Sequence, residues 1–128
     1  MGEFIANKVI KLMIQNNVPT KGAKVLVLGI TFKENCADLR NSRVIDVLKE
    51  LKLFGLEISV FDPKANAEEV SEEYSIQLCK HPEKYHAIIH AVAHDEFKSM
   101  DIRSFLLPNG VLYDVKSTLP REWVDGRL

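Results

Sequence analysis

The apolar positions switch between two periods along the chain. Over residues 3–17, Ile5, Val9, Leu12 and Met13 recur at a helical spacing, with Ala6 and Ile10 widening the stripe. Asn16, Asn17 and Pro19 end that helix. Residues 24–29 are a near-continuous apolar run closing on Gly29, the pattern of a strand buried on both faces of a parallel sheet. After a polar loop to about Arg40, Asn41 or Ser42 is placed to cap a helix. Its apolar face is Val44, Ile45, Val47, Leu48 and Leu51, and Gly55 sits at its C-terminal cap. Residues 56–61 read as a second strand, ended by Asp62-Pro63, and residues 66–73 as a short acidic helix. Residues 75–78 read as a brief third strand and residues 86–92 as a fourth. A helix is expected within residues 97–107 and a fifth strand over residues 110–115. Strands alternating with helices predict an α/β fold, a parallel sheet of about five strands with helices on both faces.

Composition narrows the function classes. The 128 residues suffice for one domain with a real core and are too few for two. A net charge of −1 gives no broad attraction to nucleic acid or to an anionic membrane, so neither is expected as a partner. No apolar run approaches a membrane span, and the first residues lack the pattern of a signal peptide. Cys36 and Cys79 form no C-x-x-C pair and no disulfide framework, which makes a reducing, cytoplasmic location the expectation. The apolar N-terminal helix needs a surface to cover it: this domain, another domain or a second copy of the chain.

Residues 24–42 carry the candidate chemistry. A strand meeting Gly29 is how a Rossmann-like unit enters its phosphate loop, but the later glycines of G-x-G-x-x-G are replaced by Ile30, Thr31, Phe32, Lys33 and Glu34. Without them the backbone cannot approach a pyrophosphate, so side chains must make the contact. Lys33 offers a point charge and Arg40 a planar fork, while Asn35, Asp38 and Asn41 offer hydrogen-bonding groups. The helix start near Ser42 adds a weak preference for an anion. The pattern therefore suits a phosphorylated ligand held by side chains, against the plainer reading of a solvated, charged loop. Asp62 stands where a ribose-binding acid would, but 33 residues after Gly29 rather than about 20. With Pro63 behind it, a turn or capping role is expected for it.

Four segments, VLVLGITFKENCADLRNS, VFDPKA, AVAHDEF and LYDVKSTLP, occur in an order that resembles the C-terminal domain of the UDP-glucose/GDP-mannose dehydrogenase family. The resemblance runs from about Val18 to the end. It implies a UDP-sugar-binding domain over residues 18–128, and residues 1–17 resemble the end of the helix that connects it to a central dimerisation domain. In that family a UDP-sugar's C6 alcohol is oxidised to a carboxylate in two NAD-dependent steps. The resemblance assigns substrate contacts to Phe32, Lys33, Glu34, Asn35 and Asp38. It makes Arg40 the residue that reaches toward NAD held mainly by an N-terminal domain. Lys116 stands where many members carry an arginine, and it meets phosphate without bidentate geometry. Cys36-Ala37-Asp38 also departs from the usual acidic or polar pair before the arginine. The TFKENCADLRNS and DVKSTLP wording is closer to the branch acting on UDP-N-acetylhexosamines. The family's cysteine nucleophile and NAD fingerprint are not matched, so the chain is expected to be an inactive fragment of a dehydrogenase that is a homodimer or larger when complete.

The remaining residues carry plainer expectations. Cys36 lacks a partner base and is not expected to be a nucleophile, and Cys79 is read as an apolar filler. His86, His90 and His94 recur every fourth residue, but in a strand pattern, and no metal site is expected. His94 is placed to line the ligand cleft. Trp123 and residues 121–127 read as surface packing and tail. The alternative to a dehydrogenase domain is a stand-alone regulatory module that senses a nucleotide without catalysis.

Overall fold

The computed structural model describes residues 2–128; Met1, the first residue of the expected connecting helix, lies outside them. The helices are α1 (Gly2–Gln15), α2 (Val44–Leu53), α3 (Ala67–Tyr74) and α4 (Asp95–Lys98). The strands are β1 (Lys24–Leu28), β2 (Glu57–Phe61), β3 (Tyr85–His90), β4 (Leu106–Asp114) and β5 (Gly126–Arg127). All pairings are parallel, in the order β2-β1-β3-β4-β5.

Successive strand residues face opposite sides of the sheet, and both sides are covered, which is why β1 and β3 read as continuous apolar runs. Val25, Val27, Ala87, Ile89, Val111 and Tyr113 pack with Ile5, Val9 and Met13 of α1 and Val47, Leu48 and Leu51 of α2. On the other side, Leu26, Leu28, Ile88 and Leu112 pack with Phe97, Ile102 and Leu119. The cover is uneven. Long helices lie on the first side, while α4, a 3-10 turn at Ile102–Phe105 and the C-terminal segment cover the second.

Four local expectations are corrected. Residues 75–78 form no strand: Ser75 turns left-handed (φ 56°) to close α3, and a single bridge joins Val60 to Leu78. The fifth strand is instead β5, inside the segment expected to be a tail, where Gly126 and Arg127 pair with Tyr113 and Asp114. Gly126 packs closely there: a Cβ on it would lie 2.9 Å from Leu12 Cδ1 and 3.1 Å from Tyr113 Cδ1, so a larger residue requires those side chains to shift. The helix expected within residues 97–107 is a single 3-10 turn, Ile102–Phe105, rather than a longer helix, and β4 starts early, at Leu106, before an irregular stretch that shifts its register with β3. The N-cap of α2 is Arg43, without a side-chain cap bond. Asn41 is left-handed (φ 59°), and the Ser42 hydroxyl donates to the Ile30 carbonyl instead.

From the centre of the sheet the chain winds outward in both directions, through β1 to β2 and through β3 to β4 and β5. The carboxyl ends of β1 and β3 therefore flank the switch point at which open parallel sheets bind ligands. Among the described residues, no helix is long and apolar enough to cross a membrane.

Candidate functional site

The loop leaving β1 is held almost residue by residue. Gly29 has a φ of +98°, and a Cβ there would lie 2.5 Å from Val92 Cβ, so both backbone and space demand glycine. Asp62, buried just past β2, accepts from Ile30 N–H (2.7 Å) and Thr31 N–H (3.2 Å) on one oxygen. Its other oxygen accepts from Lys64 N–H (2.8 Å) and Ala65 N–H (3.1 Å). The expected turn-forming role is thus present and extends across the sheet to the β1 loop. Further along, Phe32 N–H donates to the Asp38 carbonyl (2.7 Å) and the Tyr74 hydroxyl to the Leu39 carbonyl. Asn35, left-handed at φ 57°, donates its N–H to His94 Nδ1 (2.9 Å), and its side-chain oxygen accepts from Asp95 N–H (3.0 Å).

These bonds leave Phe32, Lys33 and Glu34 displayed to solvent, with Phe32 half exposed. Phe32 stands at the rim of a 350 Å³ cavity over the switch point. Thr31, Val44, Ala91 and Val92 form part of its wall, and Arg43 and Lys116 are its cations. The volume lies within the range of small-molecule sites, about 300–1,000 Å³. Of the expected residues, Phe32 and Lys116 meet here, while Lys33, Glu34 and Asn35 follow along the loop. Asp38 and Arg40 lie apart, on a separate 280 Å³ cleft beside Glu69, Glu72 and Glu73. There Arg40 grips Asp38 bidentately, Nε to Oδ1 at 3.1 Å and Nη2 to Oδ2 at 3.0 Å. The Arg40 hydrogen bond holds the Asp38 carboxyl below its ordinary range, and Asp38 in turn raises Arg40. Arg43 was missed by sequence reasoning. Its signal was a second cation three residues after Arg40, at the start of an amphipathic helix. A cation there opposes the helix dipole, and a shared anion relieves that conflict.

The β1 loop does not fit NAD in this domain. Every oxygen of Asp62 is occupied by the protein's own N–H groups, so it is not free for a ribose. Val92 fills the space that a glycine-lined phosphate loop would leave open.

The three histidines diverge. His86 Nδ1 accepts from Lys24 N–H, His90 Nδ1 lies 2.9 Å from Asp114 Oδ1, and His94 turns to Asn35 and Asp62. Among the described residues, no three His, Cys, Asp or Glu side chains are grouped to hold a metal. His94 is fully buried, so it supports the loop from beneath and does not line the cleft. Cys79 is half-buried, its Sγ 3.8 Å from the Tyr85 hydroxyl, which makes it more than an apolar filler. Cys36 is half-buried too, and its Sγ accepts from Asp38 N–H at 3.4 Å.

A parallel sheet with a cavity and cations at its switch point is the architecture of a Rossmann-like domain. Residues 26–121 match the UDP binding domain of the UDP-glucose/GDP-mannose dehydrogenase family, and the chain belongs to that family. It is 47% identical to a UDP-N-acetyl-D-glucosamine 6-dehydrogenase of Salmonella typhi and 41% identical to one of Pseudomonas aeruginosa. Each alignment covers 100% of this chain but only 31% and 32% of those proteins, so the chain spans about a third of their length. The solved UDP-glucose dehydrogenase of Pyrobaculum islandicum superposes with a TM-score of 0.74 at 23% identity, over 98% of this chain and 29% of that one. A UDP-D-ManNAc dehydrogenase of Pyrococcus horikoshii gives 0.71 at 21%, over 98% of this chain and 30% of that one, and both establish the fold.

Proposed function

We propose that this chain is the UDP-sugar-binding domain of a cytoplasmic, NAD-dependent nucleotide-sugar 6-dehydrogenase, acting on a UDP-N-acetylhexosamine. The observation that carries this reading is the cavity at the switch point, apolar along one wall and bordered by Arg43 and Lys116. In it the uracil ring meets the apolar wall and Phe32. The diphosphate meets Arg43, Lys116 and Lys33, with Glu34, Asn35 and Asp38 shaping the loop. Two relatives named as UDP-N-acetyl-D-glucosamine 6-dehydrogenases support the choice of sugar. Residues 1–17 end a helix that connects to the enzyme's remaining domains, which also supply the dimer contacts. NAD supplies hydride acceptance and is held by residues outside this chain. Arg40 is the one residue here directed at it, once released from Asp38.

Titration of UDP into the protein, followed by backbone amide NMR, tests the reading at any affinity down to about millimolar. Shifts confined to residues 30–43, 91–92 and 115–117 are expected, with UMP binding more weakly because it lacks the second phosphate. Uniform or absent shifts up to ~10 mM UDP would overturn it.

A further inference from the structure

His94 is fully buried at the foot of the ligand loop. Its Nδ1 accepts the Asn35 N–H, so the ring hydrogen sits on Nε2. That Nε2 lies 3.0 Å from Asp62 Oδ1 and 3.1 Å from Oδ2, and 3.1 Å from Thr31 Oγ1. Thr31 Oγ1 donates its hydrogen to the Lys33 carbonyl (3.1 Å), so the single Nε2–H is shared between the Asp62 carboxylate and Thr31 Oγ1. The ring thus joins both ends of the exposed turn. Through Nδ1 it holds Asn35, and through Nε2 it holds Asp62 and Thr31. The residues between are Phe32, Lys33 and Glu34, the ones displayed to the ligand. Asn35 is left-handed, a conformation asparagine tolerates but that needs outside support to persist. Phe97 packs against the ring at 5.5 Å between centroids and fixes its plane.

We infer that His94 is a positioning residue for the nucleotide site: its neutral, Nε2-protonated imidazole clamps the turn of residues 31–35 so that Phe32 and Lys33 face the ligand before it arrives. The ligand part of this role rests on the proposed UDP site. The clamp itself rests on geometry alone. Two substitutions separate its halves. His94→Gln keeps a donor near the Nε2 position and removes the acceptor at Nδ1. His94→Asn keeps an acceptor near Nδ1 and removes the far donor.

The wild-type protein is examined first. A scalar coupling across the Asn35 N–H···Nδ1 hydrogen bond and ring nitrogen shifts of the Nε2–H tautomer are expected, and the Nδ1–H tautomer would overturn the clamp even if neither variant folds. UDP titrations then follow. His94→Gln is expected to weaken UDP binding about tenfold, with Asn35 amide protection lost and the sheet amides still protected. His94→Asn is expected to recover most of that loss, to within about threefold of wild type, with Asn35 protected. Equal weakening in both variants, or unchanged binding in His94→Gln, would overturn the positioning role while leaving the UDP site standing. Wild-type protein that takes no UDP overturns the site and, with it, the positioning role.

Discussion

Gly29 shows how one residue can be fixed twice. Its positive φ disfavours any side chain, and Val92 already occupies the place of a Cβ. Gly29→Ala therefore combines left-handed strain with overpacking, about 2–4 kcal/mol together. Thermal denaturation is expected to show a melting temperature lower by roughly 10 °C. A change within ~2 °C would mean that Val92 yields freely. Lys33 is the opposite case, exposed and, among the described residues, with no hydrogen-bond or ion-pair partner for its ammonium group, since only its carbonyl is engaged, by Thr31. Lys33→Ala should leave the melting temperature unchanged and weaken UDP about tenfold, read by the same titration. Unchanged affinity would remove Lys33 from the site. Both residues were legible in the sequence, since a glycine ending an apolar run and a lysine replacing expected glycines are local signals. Asp62 was legible only as a turn former. Its reach to Ile30 and Thr31 depends on β2 lying beside β1, which no local pattern states.

At the scale of elements, the sequence showed β1, β2, β3, α1 and α2 because each repeats a period over several residues. It missed β5 because Gly126 and Arg127 are too few to show one. What docks β5 is Asp125, whose N–H donates to the Leu112 carbonyl (2.9 Å) and whose carboxylate accepts from Leu112 N–H (2.8 Å). Arg103 anchors the same carboxylate at 3.0 Å and the Trp123 carbonyl at 2.7 Å. Asp125→Ala leaves the Leu112 N–H unpaired inside the sheet, costing about 1–3 kcal/mol. Hydrogen exchange is expected to quicken at Leu112 and over residues 124–128, while β1 amides stay protected. Uniform loss of protection would show that β5 is part of the global folding unit. The reverse error, a strand at residues 75–78, had the same source. Ile76 and Leu78 alternate correctly, yet the left-handed Ser75 brings the chain to β2 for one bridge only.

Across the whole molecule, two buried aspartates tie the sheet's carboxyl edge together, each through a histidine from β3 or the loop after it. Asp62 holds the β1 loop with His94, and Asp114 holds the β4 exit with His90. Phe97 lies between the two rings, 5.7 Å from His90 and 5.5 Å from His94. Asp114 also accepts from Lys116 N–H (3.0 Å) and Leu119 N–H (2.8 Å), so it sets the turn that carries Lys116 to the cavity. Burial pushes its carboxyl up, but the bonds from His90 and the Leu119 and Lys116 amides outweigh burial and hold it below the ordinary aspartate value. A group depressed in the folded state binds fewer protons there than in the unfolded chain. Its stabilisation is therefore complete above the unfolded value, about 3.9, and drains as pH falls from there through the folded value. Melting temperature should accordingly drop as pH falls below ~4. Asp114→Asn should be less stable near neutrality, by about 1–3 kcal/mol, because an amide nitrogen would face a donor, and its acid loss should be shallower. Parallel curves for the two proteins below pH ~4 would place the acid sensitivity in other carboxyls, such as Asp38, Asp95 and Glu96, whose values are also lowered. If the curves converge instead, the carboxylate that aims Lys116 into the nucleotide cavity also sets the acid limit of the fold.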